Sequence, residues 1–546
     1  MNLDKLKENP FFLSEEELGR VRKNLQGMSI QEMAGQLFCV LGNSLSEEEL
    51  YDLIENYNIG GVLFRPGPAS EIKKKYDAAQ SKAALPLIKA ANLEEGGAGV
   101  VSDGTYFGSC LAAAAADDEE CIRDFAKVCA LEGREAGVNW TFSPVADIDF
   151  NFRNPITNVR TFGSDPDRVL KDTLIFTRTI QKYGIAAAAK HFPGDGVDFR
   201  DQHLHPTYNS LSADEWYSTY GKIYKNLVDN GILSIMAGHI IQKDVIRSVN
   251  PCAKEEDMLP GSQSKEMLTG VLREKFGFNG VIITDATIMG GYTMTKPRCE
   301  AIPGSIAAGA DMLCFGTDIK EDISYILEGV EKGILSKERL EEAAARILAF
   351  KECISREYET VHIDAKKVQA RWAAKAVTLV KDTQGLLPVT KEKYPLIKLV
   401  TLGDDDTFDG SMTEIAKRYL EAAGFAVECY DPFEDDLHGT ANLPEGRLTL
   451  MLCNMPAASN QSAVRINWCP KHALEIPRFV NEEPSAFISF ANPYHLQDVP
   501  RVRTYINAYT ATEAAIKGAL ERLLGKAPFT GVSPVDAFCG LEDTRL

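Results

Sequence analysis

No apolar run in the chain reaches the roughly 18 residues that a membrane-spanning helix needs. Its first residues, MNLDKLKENPFFLSEEEL, are charged from Asp4 and contain no apolar signal-peptide stretch. The twelve cysteines are scattered singly, with no CxxC pair, which suits reduced thiols in a reducing compartment. A cytoplasmic location is expected on both counts. Basic residues are also short, with 59 Lys and Arg against 78 Asp and Glu, a net charge of −19. Such a surface repels phosphate backbones and anionic lipid, so neither a nucleic acid nor a membrane is expected as a partner. There is no G-x-G-x-x-G or G-x-x-x-x-G-K-[ST] motif to cradle a nucleotide and no G-x-S-x-G nucleophile elbow. No cofactor is expected. Internal repeats at solenoid spacing and low-complexity tracts are absent as well.

What is present is a long chain of 546 residues, 45% hydrophobic and 25% charged, enough for two or three globular domains. Short apolar runs alternate with longer amphipathic stretches over the first ~355 residues. The runs are Ile59–Phe64, Leu85–Ala91, Val138–Asp147, Gly184–Lys190, Gly231–His239, Gly280–Ala286 and Gly309–Gly316. Repeated βα units of this kind predict an α/β fold with a TIM-type (β/α)8 barrel over residues 1–355. Ala186–Ala189 has no β-propensity of its own and alone reads as helix; its place as a strand rests on its register with the other runs. Ser29 and Glu32 make a capping box, and Leu340, Ala344, Ile347 and Leu348 have the spacing of a helix closing the barrel. Residues 356–368 read as a linker. Residues 369–546 read as a smaller α/β sandwich domain, with a helix at Arg371–Ala376, strands near Ile397–Leu402, Leu448–Cys453 and Ala486–Phe490, and a closing helix near Ala514–Leu524. The run Asp404, Asp405, Asp406 reads as a solvated turn.

Barrels gather function at the C-terminal ends of their strands. Asp147, Lys190, His191, His239 and Asp285 all end apolar runs. One such residue alone is as readily a cap or a structural ion pair; five in one domain point to an enzyme. The stretch from Lys190 to His205, KHFPGDGVDFRDQHLH, is densest in titratable groups and carries three of the chain's eight histidines. Asp201 and His203 lie two apart, so in an extended or loop conformation they can face the same way. A carboxylate there fixes the tautomer and orientation of the imidazole and makes it a usable proton donor. His191, His203, His205 and His239 are types that could ligate a metal, but their spacing is not distinctive, and no metal is expected.

The same stretch resembles the KHFPGHG…DxH signature of family 3 glycoside hydrolases, on the N-acetylhexosaminidase branch. Further segments resemble that family in order: MSIQEMAGQLF (Met28–Phe38), NPITNVRTFGSDP (Asn154–Pro166), MAGH (Met236–His239), LREKFGFNGVIITDATIM (Leu272–Met289), ARWAAKAVTLVKDTQGLLPV (Ala370–Val389) and LLGKAPFTGVSPV (Leu523–Val535). The resemblance implies Asp285 as nucleophile, His203 as general acid/base and Asp201 as its dyad partner. It implies sugar contacts from Lys190, His191 and Arg160, and it places Glu94 where the family's D-x-E-G-G segment grips hydroxyls. His239 and Asp147 are added as pocket residues. Two departures stand out: Asp195 replaces the usual second histidine, and no aspartate stands two before Glu95.

The expected activity is retaining, exo-acting β-N-acetylglucosaminidase action on chito-oligosaccharide or peptidoglycan fragments, with a carbohydrate as the only small-molecule partner. Alternatives remain: phosphorolysis of the same bond, a β-glucosidase or β-xylosidase specificity, and a non-catalytic sugar-binding protein. For the second domain, completing the pocket, forming a homodimer and stabilising the barrel are equally open.

Overall fold

A computed structural model describes residues 2–403, 406–407, 409–430, 445–466, 468 and 477–546. Asp404 and Asp405 lie outside the described residues. The chain divides into two compact units. The first holds residues 1–105, 126–151 and 166–363; the second holds 106–125, 152–165 and 364–546.

The first unit is a closed barrel of eight parallel strands in sequential order. They are β1 (Phe38–Leu41), β2 (Gly61–Leu63), β3 (Ile88–Ala91), β4 (Trp140–Thr141), β5 (Ala186–Phe192), β6 (Ser234–Ala237), β7 (Val281–Ala286) and β8 (Met312–Cys314). Each apolar run of the sequence supplies one strand from β2 to β8. β1 has no run of its own, because it follows the capped helix Ile30–Gln36 with no polar break between them. The alanines of β5 are strand despite their propensity, since burial and pairing outweigh an intrinsic preference of under ~1 kcal/mol per residue. Trp140 of β4 shows what their small size permits. Its Nε1 donates to Ser234 Oγ of β6 at 2.7 Å, so the indole passes over β5 to reach a strand two places away. The helix Lys337–Ile354 closes the unit and buries Leu340, Ala344, Ile347 and Leu348. Among the described residues no helix is long and apolar enough to cross a membrane.

The second unit carries a six-stranded mixed sheet: β9 (Thr378–Asp382), β10 (Leu396–Gly403), β11 (Ala426–Tyr430), β12 (Arg447–Asn454), β13 (Ser485–Ser489) and β14 (Thr504–Asn507). Its order is β9-β14-β13-β12-β10-β11, with only the β9–β14 pair antiparallel. Side chains alternate across it with period two. Leu448, Leu450 and Leu452 enter one apolar core with the helices Met412–Ala422 and Glu513–Leu523, while Met451 and Cys453 enter a core on the other face. The sheet is thus covered on both faces, an α/β sandwich. The helix Ala365–Ala376 begins before the predicted Arg371, inside the stretch read as linker. Its Trp372 is fully buried, with ring centroids 5.1 Å from Phe107 and 5.6 Å from Phe125. Arg371 Nη2 reaches Asp124 Oδ2 at 2.5 Å. These contacts explain why residues 106–125 belong with the C-terminal half of the chain.

Candidate active site

At the C-terminal end of the barrel, β7 presents Asp285 as its penultimate residue, with 15% of its side chain exposed. The carboxylate Oδ1 accepts the Ala286 amide at 2.7 Å, and Oδ2 lies 3.9 Å from His191 Nε2. Burial opposes its ionisation, but neighbouring imidazoles, His191 foremost, together with that amide outweigh burial and hold the carboxyl below its ordinary range.

His191 is positioned by Asp147. Its Nδ1 meets Asp147 Oδ2 at 2.6 Å, and Asp147 Oδ1 accepts the amides of His191 at 3.0 Å and Asp195 at 2.8 Å. Asp147 itself is fully buried, six residues beyond the end of β4. It therefore acts as a support beneath the site. Lys190, on β5 before His191, donates to Glu94 Oε1 at 2.8 Å, with 5% and 13% of their side chains exposed. A buried ammonium beside a carboxylate forms a compact donor–acceptor pair suited to sugar hydroxyls.

His239 is fully buried just past β6, and both ring nitrogens are engaged by the protein. Nε2 donates to the Ala286 carbonyl at 3.0 Å, which leaves Nδ1 to accept from Ser262 Oγ at 2.8 Å. Burial pushes its pKa down to about 4, so the ring is neutral near pH 7. Its geometry is that of a strut behind the Asp285 strand, not of a group presented to ligand.

The dyad is local. Asp201 Oδ1 accepts both the His203 amide at 2.8 Å and His203 Nδ1–H at 2.7 Å. That bond fixes the tautomer, so a proton leaves from or returns to Nε2. Asp201 is buried, whereas His203 keeps a quarter of its side chain exposed, and its Nε2 has no protein partner among the described residues. The loop is stapled at its stem by Asp198, which binds the Tyr208 amide and the Arg200 guanidinium. Gly290 and Gly291, five and six residues after Asp285, donate their amides to the carbonyls of His203 and Gln202 at 2.8 and 3.2 Å. A Cβ at Gly290 would stand 2.2 Å from the Leu204 carbonyl oxygen, so only glycine permits this approach. The Gly-Gly pair that follows the Leu272–Met289 segment is visible in the sequence, but nothing local names the dyad loop as its partner.

Arg160 lies in the second unit, at the end of the short helix Asn158–Arg160. His205 Nδ1 faces the Pro206 carbonyl at 3.3 Å. Among the described residues no group of three or more His, Cys, Asp or Glu side chains is arranged to hold a metal ion.

A partly exposed carboxylate held ionised and a tautomer-fixed imidazole with a free nitrogen can serve as nucleophile and proton carrier. Beta-N-acetylglucosaminidase/beta-glucosidase of Cellulomonas fimi is 39% identical over 557 residues, covering 98% of this chain and 99% of that one. Beta-hexosaminidase A of Pseudoalteromonas piscicida is 26% identical over 455 residues, covering 77% and 74%. Among solved structures, Beta-glucoside phosphorylase BglX has a TM-score of 0.93 at 42% identity and covers 100% of both chains. A family 3 β-N-acetylglucosaminidase from Paenibacillus sp. str. FPU-7 shares the fold, with a TM-score of 0.77 at 22% identity, covering 94% of this chain and 100% of that one. Residues 29–350 match the Glycosyl hydrolase family 3 N terminal domain, and the chain belongs to glycoside hydrolase family 3 as an enzyme of that family.

Proposed function

We propose that the chain is a retaining exo-acting enzyme that cleaves terminal β-linked N-acetylglucosamine, and glucose as a related substrate, from a sugar or aryl aglycone. The observation that carries this reading is the Asp201–His203 dyad on a loop docked against the segment that follows Asp285. Asp285 attacks the anomeric carbon while His203 Nε2 protonates the departing oxygen, and an acceptor then releases the sugar from the glycosyl-enzyme. An imidazole in the acid position avoids a second fixed negative charge beside Asp285. Lys190, Glu94 and His191 hold sugar hydroxyls. A sugar contact by Arg160 is assigned by the resemblance of its motif alone. The Cellulomonas fimi relative, whose name joins both substrates, supports this pairing.

A second reading differs in the acceptor, with phosphate in place of water. It is favoured by the 42% identical phosphorylase structure and by the dyad itself, since a neutral imidazole repels an incoming anion less than a carboxylate would. Turnover of 4-nitrophenyl β-N-acetylglucosaminide and β-glucoside, with and without phosphate, tests both readings. Free sugar in either buffer supports hydrolysis, and sugar 1-phosphate supports phosphorolysis. No turnover of either substrate by the wild type would contradict the proposal.

A further inference from the structure

Asp195 replaces the histidine common to the family motif, and Gln202 stands between the two members of the dyad. We propose that these two side chains form a latch that positions His203 over Asp285; the inference rests on the reading of His203 as acid/base. Gln202 is fully buried although it belongs to a surface loop. Its Nε2 donates to Asp195 Oδ2 at 3.1 Å, and its Oε1 accepts the His239 amide at 2.7 Å. A carboxylate on one side and an N–H on the other admit only one orientation of the carboxamide. The main-chain carbonyl of Gln202 accepts the Gly291 amide, and that of His203 accepts Gly290.

Asp195 is anchored in turn. Its amide donates to Asp147 Oδ1 at 2.8 Å, its carbonyl accepts the Tyr220 hydroxyl at 2.6 Å, and its Oδ1 accepts the Gly196 amide at 2.7 Å. One buried network therefore runs from Asp147, which holds His191, through Asp195 to Gln202. The Asp201–His203 bond closes within three residues and survives if the latch opens. Loss of the latch leaves an intact dyad whose distance from Asp285 is no longer fixed. Asp195 and Gln202 are positioning residues.

The test uses Asp195→Asn, Gln202→Glu and the reciprocal double substitution. Gln202→Glu sets two carboxylates against each other. The double exchange restores a donor–acceptor pair, because the asparagine amide at 195 donates to the carboxylate at 202, which still accepts the His239 amide. Protonation by His203 matters for a poor leaving group and little for 2,4-dinitrophenolate. On the aryl glycoside series of the preferred sugar, Gln202→Glu lowers kcat/KM by about 10- to 100-fold for phenyl and less than about 3-fold for 2,4-dinitrophenyl substrates, part of the ~10²–10⁴-fold that general acid catalysis supplies. The double variant recovers most of that loss.

Amide hydrogen exchange over residues 196–206, read without substrate, rises in Gln202→Glu and falls back in the double variant. Equal losses on both leaving groups, a double variant as impaired as the single, or unchanged exchange would each overturn the latch. His203→Ala serves as the control. If it shows no leaving-group dependence, the acid/base reading falls, and hydrogen exchange still decides whether the latch exists.

Discussion

A carboxylate pressed into a barrel mouth loses hydration and is pushed toward its neutral form; at Asp285 neighbouring imidazoles, His191 foremost, and a backbone amide reverse that outcome. Asp285 thus stays ionised through mildly acidic pH. The acid limb of kcat/KM assigned to it is expected below the ordinary aspartate value of about 4. Asp285→Asn keeps the shape and removes the nucleophile, so kcat on 4-nitrophenyl substrates should fall by at least ~10³-fold with folding unchanged. His239 makes a separate prediction. Its pKa of about 4 lies below the 6.5 of an exposed histidine, so the unfolded chain binds the extra proton between those values. Its stabilisation is complete above pH 6.5 and is lost as pH falls toward 4, an effect of roughly 3 kcal/mol at most. Denaturant midpoints measured across that window should decline with falling pH, and less steeply in His239→Asn. The aspartate, the dyad and the Lys190–His191 pair were legible in the sequence because each sits in a local pattern. Gln202 was not, since its partners Asp195 and His239 come from other turns of the chain.

At the scale of elements, the segment after Asp285 and the loop carrying His203, the proposed nucleophile and proton carrier, are held in contact by two backbone hydrogen bonds. Gly291 brings the start of the helix Gly290–Thr293 against the dyad loop, and a Cβ there would meet the Gln202 carbonyl oxygen at 2.5 Å and His239 Cβ at 2.6 Å. Both neighbours are fixed parts of the framework, so Gly291→Ala must displace the loop. It should cost about 1–3 kcal/mol of stability, as overpacking does, and it should reduce activity most for substrates with poor leaving groups. Strands β2 to β8 were readable as apolar runs, β5 through its register with the other runs and not through the propensity of its alanines, whereas β1 was not. Propensity describes a residue alone, and what places those alanines in β5 is pairing with β4 and β6 under the Trp140 indole.

The whole molecule consists of a barrel unit and a sandwich unit, and sequence order does not divide them cleanly. Residues 106–125 and 152–165 leave the barrel sequence to join the second unit. A boundary read from composition is a single cut in the chain, so such excursions show only when Trp372 is found packed on Phe107 and Phe125. Trp372→Ala should cost about 3–5 kcal/mol within the second unit, seen as a lowered denaturant midpoint.

The proposed mechanism passes through a covalent glycosyl-enzyme on Asp285. The most direct measurement is mass spectrometry of the protein after reaction with a 2-deoxy-2-fluoro-β-glucosyl donor bearing 2,4-dinitrophenolate, followed by peptide mapping. One fluorosugar is expected on the peptide spanning Gly280–Met289, at Asp285, and none in Asp285→Asn. A label on another residue, or turnover of the donor by Asp285→Asn at the wild-type rate, would contradict it.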